Sequence, residues 1–202
     1  MTFLKANENR ESFFRRIALF YPKLDYRYIM IERAYDDAKD AFREMYRDEG
    51  IRYFEHLRCT ALILIDWLRV RDHHLIVAAL LHDIVEDKES WTIDRVCEEY
   101  DIEIARLLEF LSKEDVSLYT SKEERDRVYH ERFEYAPRDF FFVKLADRLH
   151  NLITGTGTTK EKRERKIVET KRYYLPYAEK HCILIHELEE AIEILEAFDR
   201  TT

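Results

Sequence analysis

Turn-forming residues are scarce in this sequence. Its 202 residues include three glycines and three prolines, where average chains carry roughly 12% of the two together. Sandwiches, barrels and doubly wound α/β sheets need many tight turns, so the scarcity argues against all of them. It also excludes collagen-like and Gly/Pro-rich disordered chains. Cysteine is sparse as well: Cys59, Cys97 and Cys182 stand far apart with no CxxC pair, and read as reduced thiols in a reducing compartment. No apolar leader opens MTFLKANENR, and the longest pure apolar run is Leu75 to Leu81, far short of the ~20 residues that span a bilayer. These absences predict a cytoplasmic protein with no membrane partner. A basic surplus is missing too. The net charge of −8 disfavours a nucleic-acid partner, but a small anion remains compatible where a metal ion and local Arg or Lys outweigh the global sign.

What is present is helical in character. Hydrophobic residues make up 46% and charged residues 38%, with Leu, Ala, Glu, Lys and Arg abundant. The fold class predicted is all-α, as a single domain: an N-terminal helix within 1–24, a core over 25–180 and a C-terminal helix in 181–202. Phe13, Phe14, Ile17 and Phe20 lie at helical spacing before Pro22. Asp25 opens a long charged segment running to about Met45, and YRDEGIRY (46–53) reads as a loop around Gly50. Two apolar helices are predicted over 54–69 and 73–86. Thr92 and Asp101 are candidate helix caps, Ser121 with Glu124 forms a capping-box pattern, and GTGTT (155–159) is a break. Ile185, Leu188, Ile192 and Leu195 alternate at three and four, as in a helix docked on its own core; a helix–helix seam in a homo-oligomer is the alternative.

The chemistry concentrates in LLHDIVED. His82, Asp83, Glu86 and Asp87 would share one face of a continuous helix. One imidazole and three carboxylates beside an apolar run are costly without a partner, and a divalent cation is a suitable one. The plain alternative for Glu86 and Asp87 is a solvated helix end, although acids there oppose the helix dipole. Two further residues belong with this group. His56 opens an apolar helix, and could instead be a capping or core histidine. Asp147 sits among Val143, Leu145, Ala146 and Leu149, and could instead pair with Lys144 or Arg148.

Together these stretches resemble a known family. RxxGxxYxxH (Arg47 to His56), ALLHDIVED (Ala79 to Asp87), VKLADRLHNL (Val143 to Leu152) and IVETKRYYLPYA (Ile167 to Ala178) are similar to the hydrolase domain of RelA/SpoT-type alarmone enzymes, within the HD-domain metal phosphohydrolases. The resemblance implies an all-helical HD bundle that hydrolyses the 3′-diphosphate of (p)ppGpp to GDP or GTP and pyrophosphate. It implies a divalent metal, typically Mn²⁺, on His56, His82, Asp83 and Asp147. Glu86 and Asp87 become the catalytic acidic pair. Arg47 and Asn151 match nucleotide contacts, and Lys113 resembles a phosphate-meeting lysine. Thr154 lies one turn beyond Asn151 and extends the same face. With no residues here for a synthetase domain, the expectation is a small stand-alone hydrolase whose partner is a small-molecule nucleotide. Three departures stand beside the expected base pocket: Asp48 replaces a basic residue, Gly50-Ile51-Arg52 replaces Gly-Glu-Pro, and Leu57 replaces a proline. Two other readings stay open, the first of them motivated by the altered Asp48 to Arg52 loop. One is a related HD phosphohydrolase acting on an adenosine alarmone or on the 2′-phosphate of NADPH. The other is a non-catalytic nucleotide-binding module.

Overall fold

The computed structural model describes residues 8–48 and 50–201. Every regular element among them is helical; the only β pairing is one isolated bridge, Tyr46 to Arg52. The N-terminal helix α1 (Arg10–Ile17) is capped by Asn9 and buries Phe13, Phe14 and Ile17. Phe20 falls in the turn beyond it. Helix α2 (Tyr26–Ala41) starts at its Asp25 cap. Its buried Tyr28 and Tyr35 meet Phe14 edge-on or tilted at 5.3 Å, which fastens α1 to the bundle.

Two helices carry the centre of the core. Helix α3 (Tyr53–Leu62) runs straight into a π-turn, Ile63–Trp67. Helix α4 (His73–Leu81) is capped by Asp72 and is buried along almost its whole length. A residue in such a helix has no polar side to show, and burying each Leu or Ile stabilises by about 1.5–3 kcal/mol. A four-residue turn, α5 (Ile84–Asp87), follows α4. Then come α6 (Ile93–Glu99), capped by Thr92, and α7 (Ile102–Leu111), capped by Asp101.

Helix α8 (Lys122–Glu131) is capped by Ser121. The capping box is completed differently from the sequence pattern: the Glu124 carboxylate accepts from the N–H of Thr120 rather than of Ser121. Helix α9 (Arg138–Ile153) threads the middle of the molecule against α3, α4 and α7. Beyond the Gly155–Gly157 turn lie α10 (Lys160–Glu169), a π-turn (Thr170–Tyr174), α11 (Leu175–His181) with Pro176 in its first turn, and α12 (Ile185–Thr201).

Helix α12 docks on its own chain, burying Leu188, Ala191, Ile192 and Leu195, with Ile185 half-buried. Gly155 permits that approach, because a Cβ there would sit 3.0 Å from Cδ1 of Leu195. Gly50 has a different task. Its φ of +75° turns the 46–52 loop back on itself, and the N–H of Arg47 bonds the carbonyl of Ile51 at 2.9 Å. No helix among the described residues is long and apolar enough to cross a membrane.

Candidate metal centre

Three distant segments bring four side chains together at the heart of the bundle. His56 comes from the first turn of α3, His82 and Asp83 from the end of α4, and Asp147 from the middle of α9. Nε2 of His56 lies 3.2 Å from Nε2 of His82 and 3.2 Å from Oδ1 of Asp147. Nε2 of His82 lies 3.2 Å from Oδ2 of Asp83 and 3.6 Å from Oδ1 of Asp147. The longest of these separations, His56 Nε2 to Asp83 Oδ2, is 3.8 Å.

One element differs from the sequence expectation. His82, Asp83, Glu86 and Asp87 do not share a face of one helix, because α4 stops at Leu81. The physical reason is local: Nδ1 of His82 bonds the carbonyl of Ala79 at 2.9 Å. That side-chain donor competes for a carbonyl the helix ladder would use. The chain then turns at Asp83 and restarts as α5. His82 and Asp83 therefore face the bundle centre, while Glu86 and Asp87 occupy a separate, more exposed turn.

The four residues fit a divalent cation. Both imidazoles are held through their other nitrogens: His82 Nδ1 by Ala79, and His56 Nδ1 by Nδ1 of the buried His150 at 2.8 Å. With their Nδ1 atoms engaged in this way, both Nε2 atoms face the same spot as two carboxylate oxygens, where an ion would take the place of their protons. Spacings of 3.2 to 3.8 Å suit ligands held about 2.0–2.2 Å from a shared ion. Nitrogen with carboxylate oxygen is a donor set for first-row divalent metals.

The electrostatics call for positive charge at that spot. Burial depresses His82, but the charges of Asp83 and Asp147 outweigh it and raise the imidazole to about 10. Burial raises Asp147, but Lys144, His56 and His82 carry it well below the carboxylate range. Asp83 is likewise held low, the His82 charge overcoming burial. Burial keeps His56 and His150 below the ordinary histidine range.

Outer groups fix the carboxylates. Tyr53 donates its hydroxyl to Oδ2 of Asp83 at 2.7 Å, and Asn151 Nδ2 donates to Oδ1 of Asp147 at 2.6 Å. Lys144 lies 3.3 Å from Oδ2 of Asp147, so the simple ion pair exists, but on the oxygen that points away from the histidines. Arg148 turns instead to Glu169 at 3.3 Å. Tyr53 and His150 escaped the sequence reading. His150 offers a signal, standing three residues after Asp147 in one helix; Tyr53 offers one as the tyrosine of RxxGxxYxxH.

The remaining sequence candidates divide into two groups. Arg47, Asn151 and Thr154 come together: Arg47 Nη2 donates to Oδ1 of Asn151 at 2.9 Å and to Oγ1 of Thr154 at 3.4 Å. Glu86 and Lys113 meet through the Lys113 backbone N–H, which donates to Glu86 Oε2 at 3.2 Å. The Lys113 ammonium itself is turned to Asp126 at 2.9 Å. Asp87 is pushed up to about 6 by burial and by the neighbouring Asp83 and Glu86 carboxylates. Asp48, in the loop beside Arg47, pairs with Lys162 of α10 at 2.7 Å.

An all-helical bundle with a His/Asp centre, an adjacent His-Asp pair joined by one histidine and one aspartate from other helices, defines a class of metal-site proteins, and comparison with known sequences narrows it. The HD domain family profile matches residues 34–184, and the chain belongs to that family. It is 32% identical over 161 residues to the guanosine-3′,5′-bis(diphosphate) 3′-pyrophosphohydrolase of Haemophilus influenzae, covering 78% of this chain and 23% of that protein. It is 32% identical over 168 residues to the bifunctional (p)ppGpp synthase/hydrolase SpoT of Escherichia coli K12, covering 82% of this chain and 23% of the relative. The chain thus spans under a quarter of the length of these curated relatives. A solved structure, described as a metazoan ortholog of SpoT that hydrolyzes ppGpp, superposes with a TM-score of 0.72 at 26% identity, covering 81% of this chain and 94% of that one.

Proposed function

We propose that this chain is a metal-dependent phosphohydrolase that removes the 3′-diphosphate of (p)ppGpp, releasing GDP or GTP and pyrophosphate. The observation that carries the reading is the meeting of His56, His82, Asp83 and Asp147, the two imidazole Nε2 atoms lying 3.2 Å apart and 3.2 to 3.8 Å from an oxygen of each carboxylate, in a chain whose relatives bear that activity in their names. These four side chains hold the ion, with Mn²⁺ as the native metal. When bound, a divalent cation lowers the pKa of water and draws charge from phosphoryl oxygens.

The chain's own residues do the rest. Glu86 and Asp87 stand one short turn beyond Asp83. Asp87, raised to about 6, exchanges its proton close to neutral pH, as a general base or acid requires. The Arg47–Asn151–Thr154 cluster offers a guanidinium face, an amide and a hydroxyl to a nucleoside. The Lys113 ammonium, held by Asp126, can turn toward a phosphate at the mouth beside Glu86. Tyr53 and Asn151 keep the two carboxylates aimed while charge moves.

The decisive assay is ppGpp turnover by manganese-loaded protein, read as equal release of GDP and pyrophosphate. No release from a fully loaded sample overturns the reading. The Asp48–Lys162 pair beside Arg47 favours one second reading, a related nucleotide such as an adenosine alarmone or NADPH. A substrate panel at equal metal decides between the two.

A further inference from the structure

A second cluster of metal-ligand side chains lies at the opposite end of α4. Asp72, His73 and His74 are consecutive, and one ligand atom from each lies within 4.8 Å of the other two. Asp72 caps α4, its Oδ1 accepting the N–H of His74 at 2.8 Å. Nδ1 of His74 stands 3.1 Å and Nδ1 of His73 3.9 Å from that same oxygen. Both separations suit ligand atoms around a common centre, the first also being within hydrogen-bond reach.

The outer nitrogen of His74 is already provided for. Its Nε2 lies 3.3 Å from Oδ2 of Asp101, whose other oxygen caps α7. A carboxylate accepting one ring proton leaves the opposite nitrogen with a free lone pair, which is how metal-binding histidines are oriented. His73 is only 8% exposed, and its imidazole makes no hydrogen bond among the described residues. An adjoining cavity of about 610 Å³ is lined by Asp72, His74, Glu103, Glu109 and Asp139, with Arg106 as its one cation. That acidic mouth raises the local concentration of cations.

We propose that Asp72, His73 and His74 form a second metal site, selective for zinc-like dications, with Asp101 as the positioning residue for His74. Two imidazoles and one carboxylate are the ligand set of three-ligand zinc sites that keep a fourth position open. Imidazole disfavours Mg²⁺ and Ca²⁺, which take oxygen ligands. The site differs from the His56–His82 centre in place and in its proposed metal. The His74–Asp101 contact joins the site to the start of α7.

The test is zinc content. Protein stripped by a chelator, reloaded with excess zinc sulfate and desalted is compared with His74→Gln and with Asp72→Asn/His74→Gln by elemental analysis. Both substituted residues are at least partly exposed, and circular dichroism checks that helicity is kept. Each variant is expected to retain one zinc equivalent fewer than wild type. An Asp83→Ala control, altered only at the other centre, is expected to keep the equivalent that the variants lose. Equal zinc in wild type and the double variant overturns the assignment, as does loss of all zinc on Asp83→Ala alone.

Discussion

Nδ1 of His150 lies 2.8 Å from Nδ1 of His56. This contact crosses from α9 to α3 and fixes the ring whose other nitrogen points at His82 and Asp147. Burial keeps His150 neutral, so it can accept the His56 proton and leave the His56 Nε2 lone pair free. Loss of such an orienting partner typically costs about 10–100-fold in metal affinity. His150→Ala is expected to weaken manganese binding by that factor in a titration, with turnover at saturating metal much less affected. His150→Gln, which keeps an acceptor, should recover part of the affinity. Unchanged affinity in both variants would remove His150 from the centre.

Asp83 and the acidic pair beyond it should separate cleanly. Asp83→Ala takes away a ligand atom 3.2 Å from His82 and the acceptor of the Tyr53 hydroxyl. It is expected to lose both bound manganese and ppGpp turnover. Glu86→Gln and Asp87→Asn leave all four ligand atoms in place. They should keep the metal but lose roughly 10²–10⁴-fold in kcat. Metal content and single-turnover rates measured on the same preparations check the split. Full activity in both acid variants would end their catalytic assignment.

The nature of the bundle was legible in the sequence because helix caps and scarce turn formers are local signals: Thr92, Asp101 and Ser121 all cap where the sequence places them. The four centre residues were legible because His and Asp inside apolar runs are costly without partners. The break after Leu81 was not, since no Gly or Pro marks it and the cause is a side-chain bond to Ala79. Both π-turns, Ile63–Trp67 and Thr170–Tyr174, interrupt sequences with ordinary helical patterning. The His56–His150 contact depends on how α3 crosses α9, which residue spacing within either helix does not encode.

The cluster of Arg47, Asn151 and Thr154 predicts an effect on binding rather than on chemistry. A hydrogen bond to a charged group is worth about 1.5–3 kcal/mol, or roughly 10–100-fold in affinity. Arg47→Ala should therefore raise KM for ppGpp by about that factor while kcat stays within a few-fold. Asn151→Ala should do the same and also weaken metal binding, because its amide donates to Asp147 at 2.6 Å. Steady-state kinetics at saturating manganese tests both. An Arg47→Ala enzyme with unchanged KM would place the nucleoside elsewhere.

His130 predicts a stability that depends on pH. Its ring stacks on Tyr173 at 4.0 Å and packs near Phe133 at 5.3 Å, and its buried Nε2 has no hydrogen-bond partner. Burial, with the cations Lys113 and Arg148 nearby, pushes the imidazole down to about 3. In the unfolded chain an ordinary histidine titrates near about 6.5. Between these two values the unfolded state binds a proton that the folded state does not, so stability falls as pH falls from about 6.5 toward 3. The slope from this one group approaches about 1.4 kcal/mol per pH unit. Urea unfolding at pH 7, 6 and 5 should show it, and His130→Phe, which keeps an aromatic ring against Tyr173, should flatten the profile by that amount. Parallel profiles for wild type and His130→Phe would mean that His130 takes up its proton in the folded state as readily as in the unfolded one.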